Sequence, residues 1–170
     1  QLEEPERWIL NRFDETAVEV NKLLNKFKFN EAAKLIYEFT WNDYCDWYIE
    51  IAKTRFYGND NKKKELAQKV AVKTLKGILI LLHPYAPFIT EEIWSFFRNK
   101  DDLDLIVSPW INPHEFIPDD DALKSFEVIK STISAVRMIR SKMNVPSNKR
   151  SNVIIRKGEK FESIIQNNSV

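Results

Sequence analysis

Apolar residues recur at helical spacing along most of this chain, and that recurrence confines it to a helical fold. Ile9, Phe13, Ala17, Val20, Leu24 and Phe27 follow one another at intervals of 4, 4, 3, 4 and 3, which sets all six on one helix face. Pro5 suits the first turn of that helix, where a missing N–H costs nothing. Asn30 is the expected N-cap of a second helix, which runs to Ala52 or Arg55 before Tyr57-Gly58-Asn59-Asp60 breaks it. A third helix is expected over 62–82. His83-Pro84-Tyr85-Ala86-Pro87 then forces an extended turn, with His83 placed to cap helix carbonyls. Thr90, followed by Glu91 and Glu92, is the expected N-cap of a short fourth helix, since acids suit a helix start.

A loop from Arg98 to Asp119 comes next. Within it, Ile106-Val107-Ser108-Pro109-Trp110 is an apolar anchor whose Trp110 is expected to pack back on the bundle. A fifth helix starts at 119–121, carries Ala122, Phe126, Ile129, Ile133, Val136 and Met143 on one face, and ends before Pro146. With only three glycines in 170 residues, the expected fold class is all-α, a bundle of about five helices. Beyond Pro146 the pattern changes, with Val153-Ile154-Ile155 reading as a short strand and 160–166 as a short helix. The expected division is a helical domain over 1–146 and the beginning of a small α/β module over 147–170.

Helix two carries an unusual aromatic run, in which six of the twelve residues from Tyr37 to Tyr48 are aromatic. At α-helical spacing Tyr37, Trp41, Tyr44 and Tyr48 form one stripe and Asp43, Asp46 and Glu50 another. One expectation is a buried ridge whose Asp46 and Asn42 hydrogen-bond neighbouring helix ends. The other is that the polar edge at the helix's C-terminal end faces a ligand.

Composition closes off several classes of function. The longest apolar run, 77–82, falls far short of the ~20 residues a membrane span needs, so no membrane partner is expected. One cysteine excludes an internal disulfide framework, and with two distant histidines it makes a poor metal set. Cys45 is expected to be a small buried hydrophobe, and the protein to be intracellular. There is no Gly-rich phosphate loop, Gly-x-Ser-x-Gly elbow or His-Glu-x-x-His zinc pattern, so no catalytic residue is assigned. Gln1-Leu2-Glu3-Glu4 carries neither an initiator Met nor a signal pattern, and the chain reads as a piece of something longer.

Charge is uneven beneath a net +1. Residues 137–160 hold eight cations, among them Arg137, Arg140, Lys142, Lys149 and Arg150, against the single acid Glu159. That segment is +7 and the remainder −6. Such a patch could neutralise RNA phosphates or merely complement a helix C-terminus, and composition leaves both open.

Four segments, taken in order, resemble valyl-tRNA synthetases. They are Trp41-Asn42-Asp43-Tyr44-Cys45-Asp46-Trp47-Tyr48-Ile49-Glu50, then Leu81-Leu82-His83-Pro84-Tyr85-Ala86-Pro87-Phe88-Ile89-Thr90-Glu91-Glu92-Ile93-Trp94, then Ser108-Pro109-Trp110, and last Ile139-Arg140-Ser141-Lys142-Met143-Asn144-Val145-Pro146. The His-Pro-x-x-Pro-Phe segment is shared by the isoleucyl and leucyl enzymes, whereas the first and last look like the valyl branch. The resemblance implies a tRNA anticodon-binding domain of a cytoplasmic, monomeric enzyme that joins valine to tRNA(Val) with ATP and Mg, the bases read being the A and C shared by valine anticodons. It also implies a further helix ahead of Gln1, with an Asn-x-x-Arg-Phe type segment, and a coiled-coil arm beyond Val170. His-Ile-Gly-His and Lys-Met-Ser-Lys-Ser are absent, so ATP and Mg would act elsewhere in such an enzyme and this piece would hold no cofactor.

Candidate RNA contacts follow from that resemblance. Trp47 and Phe56 would support or stack bases, Glu50 would accept from an exocyclic amine, and Lys53 and Arg55 would meet phosphates. Arg137, Arg140, Lys149 and Arg150 would take the flanking stem. No DNA partner is expected. The alternatives are a helical protein-interaction domain, or the equivalent domain of an isoleucyl enzyme.

Overall fold

The computed structural model describes residues 2–98, 103–112, 119–146, 148–150 and 152–154. The chain forms two compact units, 1–119 and 120–170. The first holds helices α1 (Glu4–Asn25), α2 (Phe29–Glu38), a π-helical segment (Phe39–Ile49), α3 (Glu50–Phe56), α4 (Asn61–Leu82), α5 (Pro87–Ser95) and a 3-10 turn (Leu105–Val107). The second holds α6 (Asp120–Lys142). Phe39 and Glu50 keep right-handed helical backbone angles, so α2, the π segment and α3 make one continuous rod. Among the described residues this gives five rods, as the periodicity predicts. No strand occurs among the described residues; Val153 and Ile154 are irregular, and the remainder of the expected strand and helix lies outside them.

In the first unit α1 packs on α2, the π segment and α4, while α4 also packs on α3 and α5. Ile9, Phe13, Ala17 and Val20 of the α1 face are buried, together with Ala32, Ile36, Tyr48, Ala52, Ala67, Val70, Ile78 and Leu81. A Cβ added at Gly77 would overlap the Phe13 ring, so glycine there is what lets the ring lie against α4. Tyr44 and Tyr48, one helical step apart, donate their hydroxyls to the carbonyls of Ala71 (3.0 Å) and Ala67 (3.2 Å), which clamps the π segment to α4.

The π segment overturns the expected aromatic stripe. Its i→i+5 bonding puts an extra residue into each turn, which rotates successive side chains away from 3.6-residue positions. Tyr44 and Tyr48 therefore face the core while Tyr37 and Trp41 are exposed. The acid taken inside is Asp43, bound by Arg12 at 3.0 Å, whereas Asp46 and Asn42 lie on the surface. Burial pulls the Arg12 guanidinium down, yet Glu15 and Asp43 outweigh it and hold its pKa above the ordinary value.

Two helix starts also differ from expectation. α2 begins at Phe29 behind Lys28, with no side-chain cap from Asn30. α5 begins at Pro87, whose fixed φ and missing N–H suit the first helical position, so the helix opens three residues before Thr90. Thr90 is buried instead and donates to the Ala86 carbonyl (2.8 Å). His83 meets the Thr90 hydroxyl through Nδ1 at 2.8 Å rather than capping a carbonyl. Asp60 is a true N-cap, accepting from the backbone N–H groups of Lys62 and Lys63.

Candidate nucleic-acid interface

At the α3 end of the first unit, five sequence candidates fall on one short helix and its approach, but they are not equally available. Glu50 and Lys53 are exposed and pair with each other, and the carboxylate's hydrogen bond raises the Lys53 pKa. Trp47 and Phe56 are half-buried. Arg55 is committed elsewhere, because its side chain is only 16% exposed and binds the fully buried Glu6 and, at 2.7 Å, Glu3. Lys63 also reaches Glu3 at 3.0 Å, so this end of the unit is a lattice of internal ion pairs. Arg55 is thereby a structural cation, which its position in the sequence did not reveal because its partners lie some fifty residues upstream.

In the second unit the basic candidates divide similarly. Arg137, Lys149 and Arg150 are exposed. Arg140 donates from Nη2 to the carbonyls of Pro146 (2.7 Å) and Lys149 (2.8 Å), bracing the turn that follows α6. Asn144 supports that turn with a φ of 51°, and the Val145 N–H bonds the Arg140 carbonyl at 2.9 Å. The remaining cations of the run, Arg156, Lys157 and Lys160, lie outside the described residues.

Sequence reasoning missed the opposite end of the first unit. There Leu24, Phe29, Pro84, Tyr85 and Trp110 line an open groove of about 550 Å3. Tyr85 donates its hydroxyl to the Phe29 carbonyl (3.0 Å), and Trp110 donates Nε1 to Asn21 Oδ1 (2.8 Å), so Trp110 does return to the bundle, held on α1 by a polar bond with part of its ring exposed. Phe27 stands beside it, edge-on to Phe29 with ring centres 6.2 Å apart. Partial burial also raises the Tyr85 pKa. The signal available in the sequence was Lys26-Phe27-Lys28-Phe29, where cations and aromatics alternate.

Cys45 is half-buried, and burial with the neighbouring Asp46 charge pushes its thiol pKa up, away from the nucleophilic thiolate. Among the described residues, no group of three or more His, Cys, Asp or Glu could hold a metal ion. No helix among them is long and apolar enough to cross a membrane.

Residues 6–155 match the family described as the anticodon-binding domain of tRNA ligase. The valine–tRNA ligase of Enterococcus faecalis is 40% identical over 151 residues, covering 89% of this chain and 17% of the relative. That of Syntrophotalea carbinolica is 43% identical over 151 residues, covering 88% and 17%. That of Listeria innocua is 37% identical over 164 residues, covering 96% and 18%. The chain thus spans roughly a sixth of the length of these curated relatives.

Proposed function

The chain belongs to the anticodon-binding-domain family of tRNA ligases, and on that premise we propose that it recognises the anticodon arm of tRNA(Val) within a valine–tRNA ligase. The observation that carries this reading is the match over 6–155, which takes in nearly every described residue. The exposed cations support it, since Lys53, Arg137, Lys149 and Arg150 can meet phosphates in any sequence. Glu50 and Phe56 remain candidate base contacts, with half-buried Trp47 behind them. Arg55 and Arg140 serve by holding the α3 end and the turn after α6 in shape.

Activation of valine with ATP and Mg falls to other parts of such an enzyme, because nothing in this chain resembles a nucleotide-binding loop. The enzyme is cytoplasmic and monomeric on this reading. Titrating the chain, and a longer valine–tRNA ligase that carries it, with tRNA(Val) across a salt series tests the proposal. Affinity should fall linearly on a log–log plot as phosphate contacts release counterions. Binding that ignored salt, or that did not separate tRNA(Val) from other tRNAs in the longer protein, would overturn it and favour a protein partner.

A further inference from the structure

Three aromatic side chains on three different segments leave much of their surface to solvent around one groove. Phe29 is 52% exposed, Trp110 41% and Tyr85 37%, with Phe27 at 80% beside them. Rings of this size normally contribute to a core, so a converging set left open marks a binding surface rather than a folding device. The polar edges of Tyr85 and Trp110 are already satisfied within the protein, which fixes the rings without covering them.

Cations outnumber acids on the α1–α2 side of the groove. The segment that carries Leu24 and Phe29 holds Lys22, Lys26 and Lys28, with Glu19 and Glu31 just outside its two ends. Lys22 and Lys28 pair only with exposed Glu19 and Glu31 within one helical turn, contacts worth so little that a phosphate displaces them. Lys26 sits between them at the α1 terminus and is exposed. Open rings flanked by cations are what an unpaired nucleic-acid strand requires, stacking for the base and charge for its backbone.

We propose that this groove is a stacking pocket for one unpaired base of the bound RNA, with Lys26 and Lys28 on the adjoining phosphates. The inference rests on the proposed function and deepens it by moving base contact to the α1–α2 end. Along the continuous helix from Phe29 to Phe56, Phe29 lies on the order of 30 Å from Glu50 and on the order of 40 Å from Phe56. A single loop base cannot touch both. At the α3 end Arg55 is locked to the buried Glu6, whereas the groove offers exposed rings with lysines in the adjoining segment.

The test uses the full chain and an anticodon stem-loop RNA bearing the valine anticodon, with 2-aminopurine replacing one loop base at a time. In the wild type, one labelled position should be quenched on binding by stacking against a ring. Phe29→Ala and Trp110→Ala should each weaken binding by roughly 5- to 150-fold and abolish that quenching, with helical circular dichroism retained. Lys26→Ala should lower the salt slope by about one. Should Phe29→Ala unfold α2, Trp110→Ala, in a loop, decides alone. Wild-type affinity and quenching in Trp110→Ala would overturn the pocket while leaving the proposed function standing. No binding of tRNA(Val) by the wild-type chain and none by the longer enzyme would overturn the proposed function itself, and the pocket with it.

Discussion

The two ends of the first unit are built from the same helices and spend their side chains in opposite ways. Where α1 begins and α3 ends, Arg55 is committed to the buried Glu6 and to Glu3, and the exposed Lys63 also reaches Glu3. Where α1 ends and α2 begins, Phe27, Phe29, Tyr85 and Trp110 stay open beside Lys26 and two lysines held only by exposed carboxylates within one helical turn. Counting charged residues would rank the first end as the RNA-binding one. Pairing reverses that order, because a cation already committed to a buried carboxylate is unavailable to a phosphate. The difference teaches that for nucleic-acid recognition, the informative quantity is charge left over after the fold has used what it needs.

Removing Arg55 should produce the largest effect and breaks the comparison most directly. Glu6 is fully buried and Oε2 of its carboxylate already lacks a partner, so Arg55→Ala strands a charge in the core. The expected loss is about 3–5 kcal/mol, as for other broken buried pairs. Chemical denaturation monitored by circular dichroism measures it. An unchanged midpoint accompanied by weaker tRNA binding would return Arg55 to the phosphate-contacting role its position in the sequence suggested.

Helix positions were legible because each rod carries a long apolar face, and α1 and α6 begin within a residue or two of where Pro5 and Asp119 to Asp121 predict. The aromatic run was misread in register because i→i+5 bonding leaves no trace in residue spacing. That is why Asp46, rather than Asp43, looked like the interior acid. Pairings such as Arg55 with Glu6 and Trp110 with Asn21 span 49 and 89 residues, and no local pattern reports them. The groove was invisible for the same reason, since its walls come from three segments that only the fold brings together.

Gly77 lies in the middle of α4 and provides a control that should not distinguish the two ends. Gly77→Ala forces a methyl into the Phe13 ring, and overpacking of this kind costs about 1–3 kcal/mol. Thermal unfolding should report the loss. A stable variant would mean that Phe13 can move aside and that the α1–α4 contact is softer than described.

A pH titration sharpens the comparison from the ionic side. Burial raises the Tyr48 phenol well above its ordinary value of 10.0, with the nearby Glu6 charge adding to the effect, and burial does the same to Tyr44. Because the folded pKa is the higher, both phenols stabilise the fold fully below pH 10 and lose that contribution as pH rises beyond it. Each should cost about 1.4 kcal/mol per pH unit in that range. Urea midpoints measured from pH 9 to 11, with Tyr48→Phe for reference, check the slope. A flat profile would show that the hydroxyls ionise without unfolding and that the clamp onto α4 is dispensable.

The smallest effect is expected at the aromatic end, and its sign matters more than its size. Phe27 adopts a φ of 59° just after α1, a left-handed conformation that glycine occupies freely and that a bulky side chain occupies at a cost of order 1 kcal/mol. With 80% of its surface exposed, the ring recovers little of that cost by packing. Phe27→Gly should therefore leave stability unchanged or raise it by up to about 1 kcal/mol, the greater freedom of glycine in the unfolded chain offsetting part of the relief. The same substitution should weaken binding of the anticodon stem-loop if Phe27 extends the stacking surface of the groove. Opposite movement of stability and affinity would mark a residue kept for its partner rather than for the fold. A variant that lost stability while binding as before would place Phe27 with the structural residues, and the contrast between the two ends would shrink to the groove alone.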